Sequence, residues 1–275
     1  MHPVFVERSS TDIFFFDAES TGVPHFKLPS EDPSQPHLVE LCGLRYSVNG
    51  ELVGGVSLIV KPEGWTIPDD VIAIHGITNE IAHEKGTQEA IALAAVMALY
   101  EGCALRVAHN RSFDDRIVRI ALMRYAGEEQ ANAFKALPGE CTALLSKPIC
   151  QLPPTEAMKK TNFKNSFKTP SLAEAFRHLT GGKELTEQHR ALPDAQACAR
   201  VYFLMKGVRM PEFPDDSEVL RNELDALAAG KEFCGACGNG CASCQVREDS
   251  PPLLPHGKDE CDAVQIDLVS EVAAE

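Results

Sequence analysis

The chain has 275 residues, 44% of them hydrophobic, and a formal charge of −14, which suits one sizeable globular domain plus an appendage. Its longest nearly apolar run, AIALAAVMALY at 90–100, falls far short of the ~20 residues a membrane span needs, so no membrane role is expected. The opening MHPVFVERSS has no basic segment leading into an apolar one, and the ten cysteines are therefore expected to be reduced thiols in a cytoplasmic setting.

The first predicted element is the strand that opens IFFFDAESTG, 13–22. Four apolar residues bounded by polar ones read as a buried strand. Side chains alternate along a strand, so Asp17 and Glu19 project from one face a few ångströms apart. Two like charges that close repel unless a proton or a cation lies between them. From this stretch alone two readings stay open: a strand end emerging into solvent, or a divalent-metal site completed by carboxylates elsewhere.

Pro24, Pro29, Pro33 and Pro36 mark an irregular connection, after which 38–48 and 52–60 read as two strands around Asn49-Gly50, a strong hairpin signal. A helix is predicted over 87–100, a short strand over 104–108, and a second helix over 113–125. The junction between the last two, HNRSFDD at 109–115, places Asp114 and Asp115 in a first helical turn, where acids also suit the helix dipole. MKKTNFKNSFK at 158–168 holds four lysines and two phenylalanines without an acid. Such a stretch suits a phosphate backbone and its bases, or a plain solvated loop. Ser171-Leu172-Ala173-Glu174 has the form of a capping box, with Leu172, Phe176 and Leu179 on one face and Gly181-Gly182 beyond the end. A last helix is predicted from Pro193 to about Lys206, preceded by His189 five residues before Asp194.

In order, then, the chain offers D-x-E on the first strand, H-N-x-x-F-D at a strand-to-helix junction, and H-x-x-x-x-D at the last helix. This set resembles the DnaQ-like 3′-5′ exonucleases of the DEDDh class, on a ribonuclease-H-like α/β fold: a mixed five-stranded sheet flanked by helices. The resemblance covers about 13–206. DAESTG stands where the family often has D-x-E-T-T-G, with Ser20 in place of the more usual Thr, and IHGIT at 74–78 agrees as well. It implies that Asp17, Glu19, Asp114 and Asp194 hold two divalent ions, Mg²⁺ or Mn²⁺, and that His189 is the general base. It also implies that Ser20, Thr21, Gly22, His75, Gly76 and Ile77 hold the terminal nucleotide. His109 and Asn110 would order the junction, and Asp115 is read as a helix-start acid. Hard oxygen donors suit such ions, and two of them can clamp the attacking and leaving oxygens of a phosphoryl displacement.

Past Gly207 the composition changes, so 1–207 is read as the exonuclease domain and 208–275 as an acidic appendage. Residues 211–275 carry 15 Asp and Glu against 4 Lys and Arg, a net of −11, which leaves only −3 on residues 1–210. The main domain is thereby released from the argument that an acidic protein avoids nucleic acid. An amphipathic segment at 217–229 is followed by CGACGNGCASC, in which Cys234, Cys237, Cys241 and Cys244 form two C-x-x-C pairs. Either Zn²⁺ or an iron–sulfur cluster would suit these thiols, and the segment from Ser250 onward is expected to be disordered. Because the catalytic residues lie before Lys206, a chain ending near Met210 is expected to fold and to work.

The resulting functional expectation is a magnesium-dependent 3′-5′ exonuclease that releases nucleoside monophosphates from single-stranded DNA ends, in DNA processing or in proofreading in trans. A protein partner such as a DNA polymerase would dock through the appendage. The alternatives are a 3′-5′ exoribonuclease of the same fold, and a non-catalytic nucleic-acid or polymerase adaptor, which would need none of the four acids or His189.

Overall fold

The structure is a computed structural model, and it describes residues 11–216 apart from Glu187. The amphipathic segment at 217–229 and the proposed cysteine site lie outside the described residues.

Strand β1 (Ile13–Ser20) is the centre of a five-stranded sheet of order β3-β2-β1-β4-β5. It pairs antiparallel with β2 (Leu38–Tyr46), which pairs antiparallel with β3 (Leu52–Ile59). On its other side β1 pairs parallel with β4 (Leu105–Ala108), which pairs parallel with β5 (Gly139–Cys141). The expected mixed five-stranded sheet is therefore present. The β2–β3 turn falls at Asn49-Gly50 as the sequence predicts, with Gly50 at φ 77°, where a side chain would be strained.

The continuous apolar run of β1 follows from burial on both faces. Phe14, Phe16 and Ala18 face a core shared with α3 (Glu89–Tyr100) and α4 (Ser112–Tyr125), through Ala92, Val96, Ile117 and Ala121. Ile13 and Phe15 face the opposite core, built with α9 (Ala191–Met205) through Ala195, Cys198, Tyr202 and Phe203. Where the chain crosses Gly43 on β2, a Cβ atom would lie 2.8 Å from the Phe14 ring and from Val96. The helix layer sits that close only because the residue is glycine.

The capping box of α8 (Leu172–Leu179) is present in both halves: Glu174 N–H donates to Ser171 Oγ and Ser171 N–H to Glu174 Oε2. Helix α9 begins at Ala191, two residues before the expected start at Pro193. That is compatible with proline, because the first four N–H groups of a helix have no intrahelical partner. Several helices carry no sequence expectation: α1 (Asp69–His75), α2 (Asn79–Lys85), α5 (Glu128–Ala136), α6 (Thr142–Cys150) and α7 (Glu156–Lys159). α1, α2 and α7 are too short to show a period, and α6 holds Pro148 in its interior, which reads as a breaker.

Residues 208–216, assigned to the appendage from composition, pack on the domain. Met210 is fully buried among the α9-side residues, and Tyr46 donates its hydroxyl to Glu212. Arg200 of α9 donates to both carboxylate oxygens of the buried Asp216 and lies over the Phe213 ring. A chain ending at Met210 would leave Arg200 buried without that carboxylate, so the expectation of an intact fold is revised: the truncation belongs after Asp216. No helix among the described residues is long and apolar enough to cross a membrane.

Candidate active site

The alternation that buries Phe15 toward α9 also places Asp17 and Glu19 on that face, at the carboxyl end of β1. Helix α9 opens opposite them and carries Asp194 in its first turn. Asp17, Glu19 and Asp194 each offer an oxygen within 4.8 Å of the others. Asp114 arrives from the other layer. Strand β4 pairs with β1 only as far as Phe15 and Val107, then turns through Asn110 in the left-handed region (φ 56°) into α4. In place of a strand partner, the Ala18 N–H donates to Asp114 Oδ1 at 3.1 Å. The D-x-E strand, the junction acid and the last-helix acid thus meet in one cleft.

That cleft is lined by Asp17, Glu19, Asp114, Asp194 and His189, together with Ser20, Gly22, Ile74, His75, His109 and Asn110. Thr21, Gly76 and Ile77, named with the nucleotide-binding residues, lie outside the lining. Thr21 Oγ1 accepts from the His37 N–H, and Gly76 closes α1 at φ 72°. Ile77 is fully buried with Val39, Ile67 and Ala82. The apolar surface on that wall comes from Ile74, half-exposed, and Val23.

His189 sits in the left-handed region (φ 60°), and its N–H donates to Asp194 Oδ2 at 2.9 Å. The loop and the carboxylate thereby fix each other. His75 accepts the Ile77 N–H at Nδ1, while its buried Nε2 has no partner. Burial lowers the pKa of the ring, and with Nδ1 accepting, the neutral form carries its proton on the buried Nε2. His109 lies behind. Burial pushes its pKa down to about 4. Its Nε2 faces the Pro170 carbonyl, which can only accept, and its Nδ1 faces the Thr142 hydroxyl.

The electrostatics are those of a site built for a cation. Burial, then the charges of Asp114, Asp194, Glu19 and Glu40, drive the Asp17 carboxyl well above the ordinary range. Glu19 is pushed up to about 7 by burial and by Asp194 and Glu40, against the pull of Arg190. Burial also raises Asp114 and Asp194, opposed by the Ala18 and His189 N–H groups respectively. Asp194 Oδ1 is buried with no hydrogen-bond partner. Such carboxylates hold protons unless a cation displaces them. The all-oxygen donor set and the orphaned oxygen fit a hard divalent ion.

Two further acids hold the site together, and sequence reasoning passed over the first. Glu40 stands opposite Glu19 on β2, almost completely buried. It accepts two hydrogen bonds from the Arg190 guanidinium and one from the Ala191 N–H, each 2.9 Å. Since Arg190 follows His189 and Ala191 begins α9, Glu40 pins the loop and the helix start at once. Its signal was a carboxylate inside the apolar LVELC at 38–42. Asp115, read as a helix-start acid, does stand in the first turn of α4, and it also pairs with the buried Arg106 and with Arg111, which ties α4 to β4.

Comparison with known proteins bears on the fold and the family. Solved structures of E. coli exonuclease I share the fold. Its zinc-bound complex with single-stranded DNA matches at TM-score 0.55 and 20% identity, over 80% of this chain and 45% of that one. Its complex with a dT13 oligonucleotide gives 0.55 and 20%, over 80% and 46%, and that with dA16 gives 0.54 and 19%, over 80% and 46%. The chain spans less than half the length of those proteins, and at this identity the likeness is one of fold. Among curated protein sequences no match is found. The Exonuclease family model, RNase_T, matches residues 14–202, the span from β1 almost to the end of α9, and the chain belongs to that family.

Proposed function

We propose that this protein is a Mg²⁺- or Mn²⁺-dependent 3′-5′ exonuclease of the DEDDh type that removes nucleoside 5′-monophosphates from single-stranded DNA ends. The convergence of Asp17, Glu19 and Asp194 in a cleft that also holds Asp114 and His189 carries the reading. An adaptor that only bound nucleic acid would gain nothing from acids that repel both each other and phosphate. The DNA-bound state of the exonuclease I structures favours DNA over RNA as the substrate.

Asp17, Glu19, Asp194 and the free oxygen of Asp114 would hold the ions, which when bound offset the charge that develops on the attacking and departing oxygens. The chain's own groups do the rest. His189, held at the cleft by its N–H bond to Asp194, takes the proton of the attacking water. The water oxygen bonds to phosphorus as the bond to the preceding nucleotide's 3′-oxygen breaks, and the terminal nucleotide leaves as a monophosphate. The apolar Ile74 and Val23, beside His75, hold the terminal nucleotide. The test is digestion of labelled single-stranded DNA and RNA with Mg²⁺, Mn²⁺ or EDTA, resolved by product length. Stepwise shortening of DNA from the 3′ end, abolished by EDTA, is expected. Intact DNA in every metal condition, or preferential shortening of RNA, overturns the assignment.

A further inference from the structure

The lysine-rich stretch at 158–168 is a closed loop with an exposed aromatic at its tip. Its base is tied by the Lys168 N–H donating to the Leu152 carbonyl at 2.9 Å. Within it, α7 is capped by Thr155, whose hydroxyl accepts from the Met158 N–H. A turn follows in which Thr161 Oγ1 accepts from the Phe163 N–H, Lys164 N–H donates to the Thr161 carbonyl, and Ser166 N–H to the Phe163 carbonyl. This ordered turn holds Phe163 out in water, 63% exposed. Nothing in the fold explains an aromatic kept there, because burying its ring would be favourable.

Around it the charge left without an ion pair among the described residues is positive. Lys159 pairs with Glu156 and Lys168 with Glu174, whereas Lys160 and Lys164 are exposed and form no ion pair among the described residues. The loop also abuts the cleft. Two residues past Lys168, the Pro170 carbonyl accepts from His109, a residue of the cleft lining. Seven residues separate Phe163 from Pro170, so the tip stands at most ~25 Å from that wall. Cations near an aromatic face, on a loop rooted beside the catalytic acids, match the two features single-stranded nucleic acid presents: a phosphate chain and stackable bases.

We propose that this loop is a guide for the single strand trailing out of the cleft, with Lys160 and Lys164 on its phosphates and Phe163 stacked on a base. The inference rests on the exonuclease reading of the cleft. The test therefore uses two substrates on the full chain: a dT15 oligonucleotide, long enough to reach the loop, and thymidine 5′-p-nitrophenyl phosphate, which occupies the cleft alone. For Lys160→Ala/Lys164→Ala, KM on dT15 should rise with kcat retained. At ~0.7 in log–log slope for each lysine taken off a phosphate, its salt penalty between 50 and 200 mM should be ~7-fold smaller than that of the parent. Phe163→Ala should raise KM on dT15 several-fold with the salt slope unchanged, and Lys160→Arg/Lys164→Arg should restore the parent values. Ester hydrolysis should match the parent throughout, which shows that the variants are folded. If dT15 kinetics and the salt slope stay at parent values in both Ala variants, the guide is overturned. If the parent itself hydrolyses neither substrate, the exonuclease reading fails instead.

Discussion

Two groups of buried carboxylate lie in this molecule, and they are solved in opposite ways. Glu89, at the start of α3, is almost completely buried yet surrounded by donors: His37 Nδ1 at 2.7 Å, the Tyr125 hydroxyl at 2.8 Å, the Leu38 N–H at 3.0 Å and Arg124 at 3.2 Å. Burial alone would raise its pKa, but the bonds from His37, Leu38 and Tyr125 outweigh that and hold it low. Asp17, Glu19 and Asp194 are surrounded by further carboxylates, and their pKa values are raised. The first arrangement is complete without a ligand, and its work is to hold the segment after Glu19, since the Thr21 N–H donates to the His37 carbonyl and the His37 N–H to Thr21 Oγ1. The second has no such set of donors and is compatible with a bound cation. Acid content alone does not distinguish a structural site from a catalytic one; the sign of what faces each carboxylate does.

The contrast can be broken most decisively at Asp17. Asp17→Ala should abolish nuclease activity while the metal-free protein melts at the same temperature or higher, because a repelling charge is removed. Parent-like digestion by this variant would end the metal-site assignment. His189→Ala should slow the chemical step by ~10²- to 10⁴-fold, as for loss of a general base. Single-turnover rates at saturating metal would reveal the loss, and a parent-like rate would remove His189 from that role.

Glu40 lies between the two kinds of site, bonded like Glu89 but beside the catalytic acids. Glu40→Ala removes the carboxylate that accepts from the Arg190 guanidinium and the Ala191 N–H and should cost activity well beyond any loss of stability. Glu40→Gln, which keeps one acceptor oxygen, should recover part of it. Equal activity for both, measured as kcat at saturating DNA, would show that the loop keeps its place unaided. Glu89→Ala should do the reverse, lowering stability by ~3 kcal/mol as a buried ion pair loses one partner, with kcat per folded molecule nearly kept. Denaturant titration beside activity separates the two.

The mildest effect is on pH dependence. The folded chain keeps protons on Asp17 and Glu19 over a range in which the unfolded chain has lost them. Metal-free stability should therefore fall as pH rises from the ordinary carboxylate range through about 7, the value reached by Glu19. Saturating Mg²⁺ should flatten that fall. A metal-free melting temperature that rises over the same window would contradict the raised pKa values.

Most of the fold was legible because its signals are local. The run of Phe14 to Phe16, the Asn49-Gly50 turn and the Ser171 capping box each determine their own element. The four acids were legible because their order and neighbours form a pattern. What was hidden depends on packing between distant segments. Glu40 reaches Arg190 across 150 positions, and Asp216 closes on Arg200 only after the chain has turned back. The departure of Ile77 from the cleft is of the same kind. IHGIT gives the segment its turn at Gly76, but whether Ile74 or Ile77 faces the nucleotide depends on how α1 lies against β2.

Strand β1 also fixes which changes of length the gene can survive. Its odd and even positions serve two different cores, and Asp17 and Glu19 of the cleft share the phase of Ile13 and Phe15. Deleting or inserting a single residue within 13–17 would carry Asp17 and Glu19 to the α3–α4 face or reverse the phenylalanines against both helix layers. Point substitutions among those apolar residues keep the phase. Drift in this strand should therefore run through exchanges of side chain and not through changes in length, whereas the closed loop at 152–168, tied only at its base, can lengthen or shorten without moving a single catalytic atom.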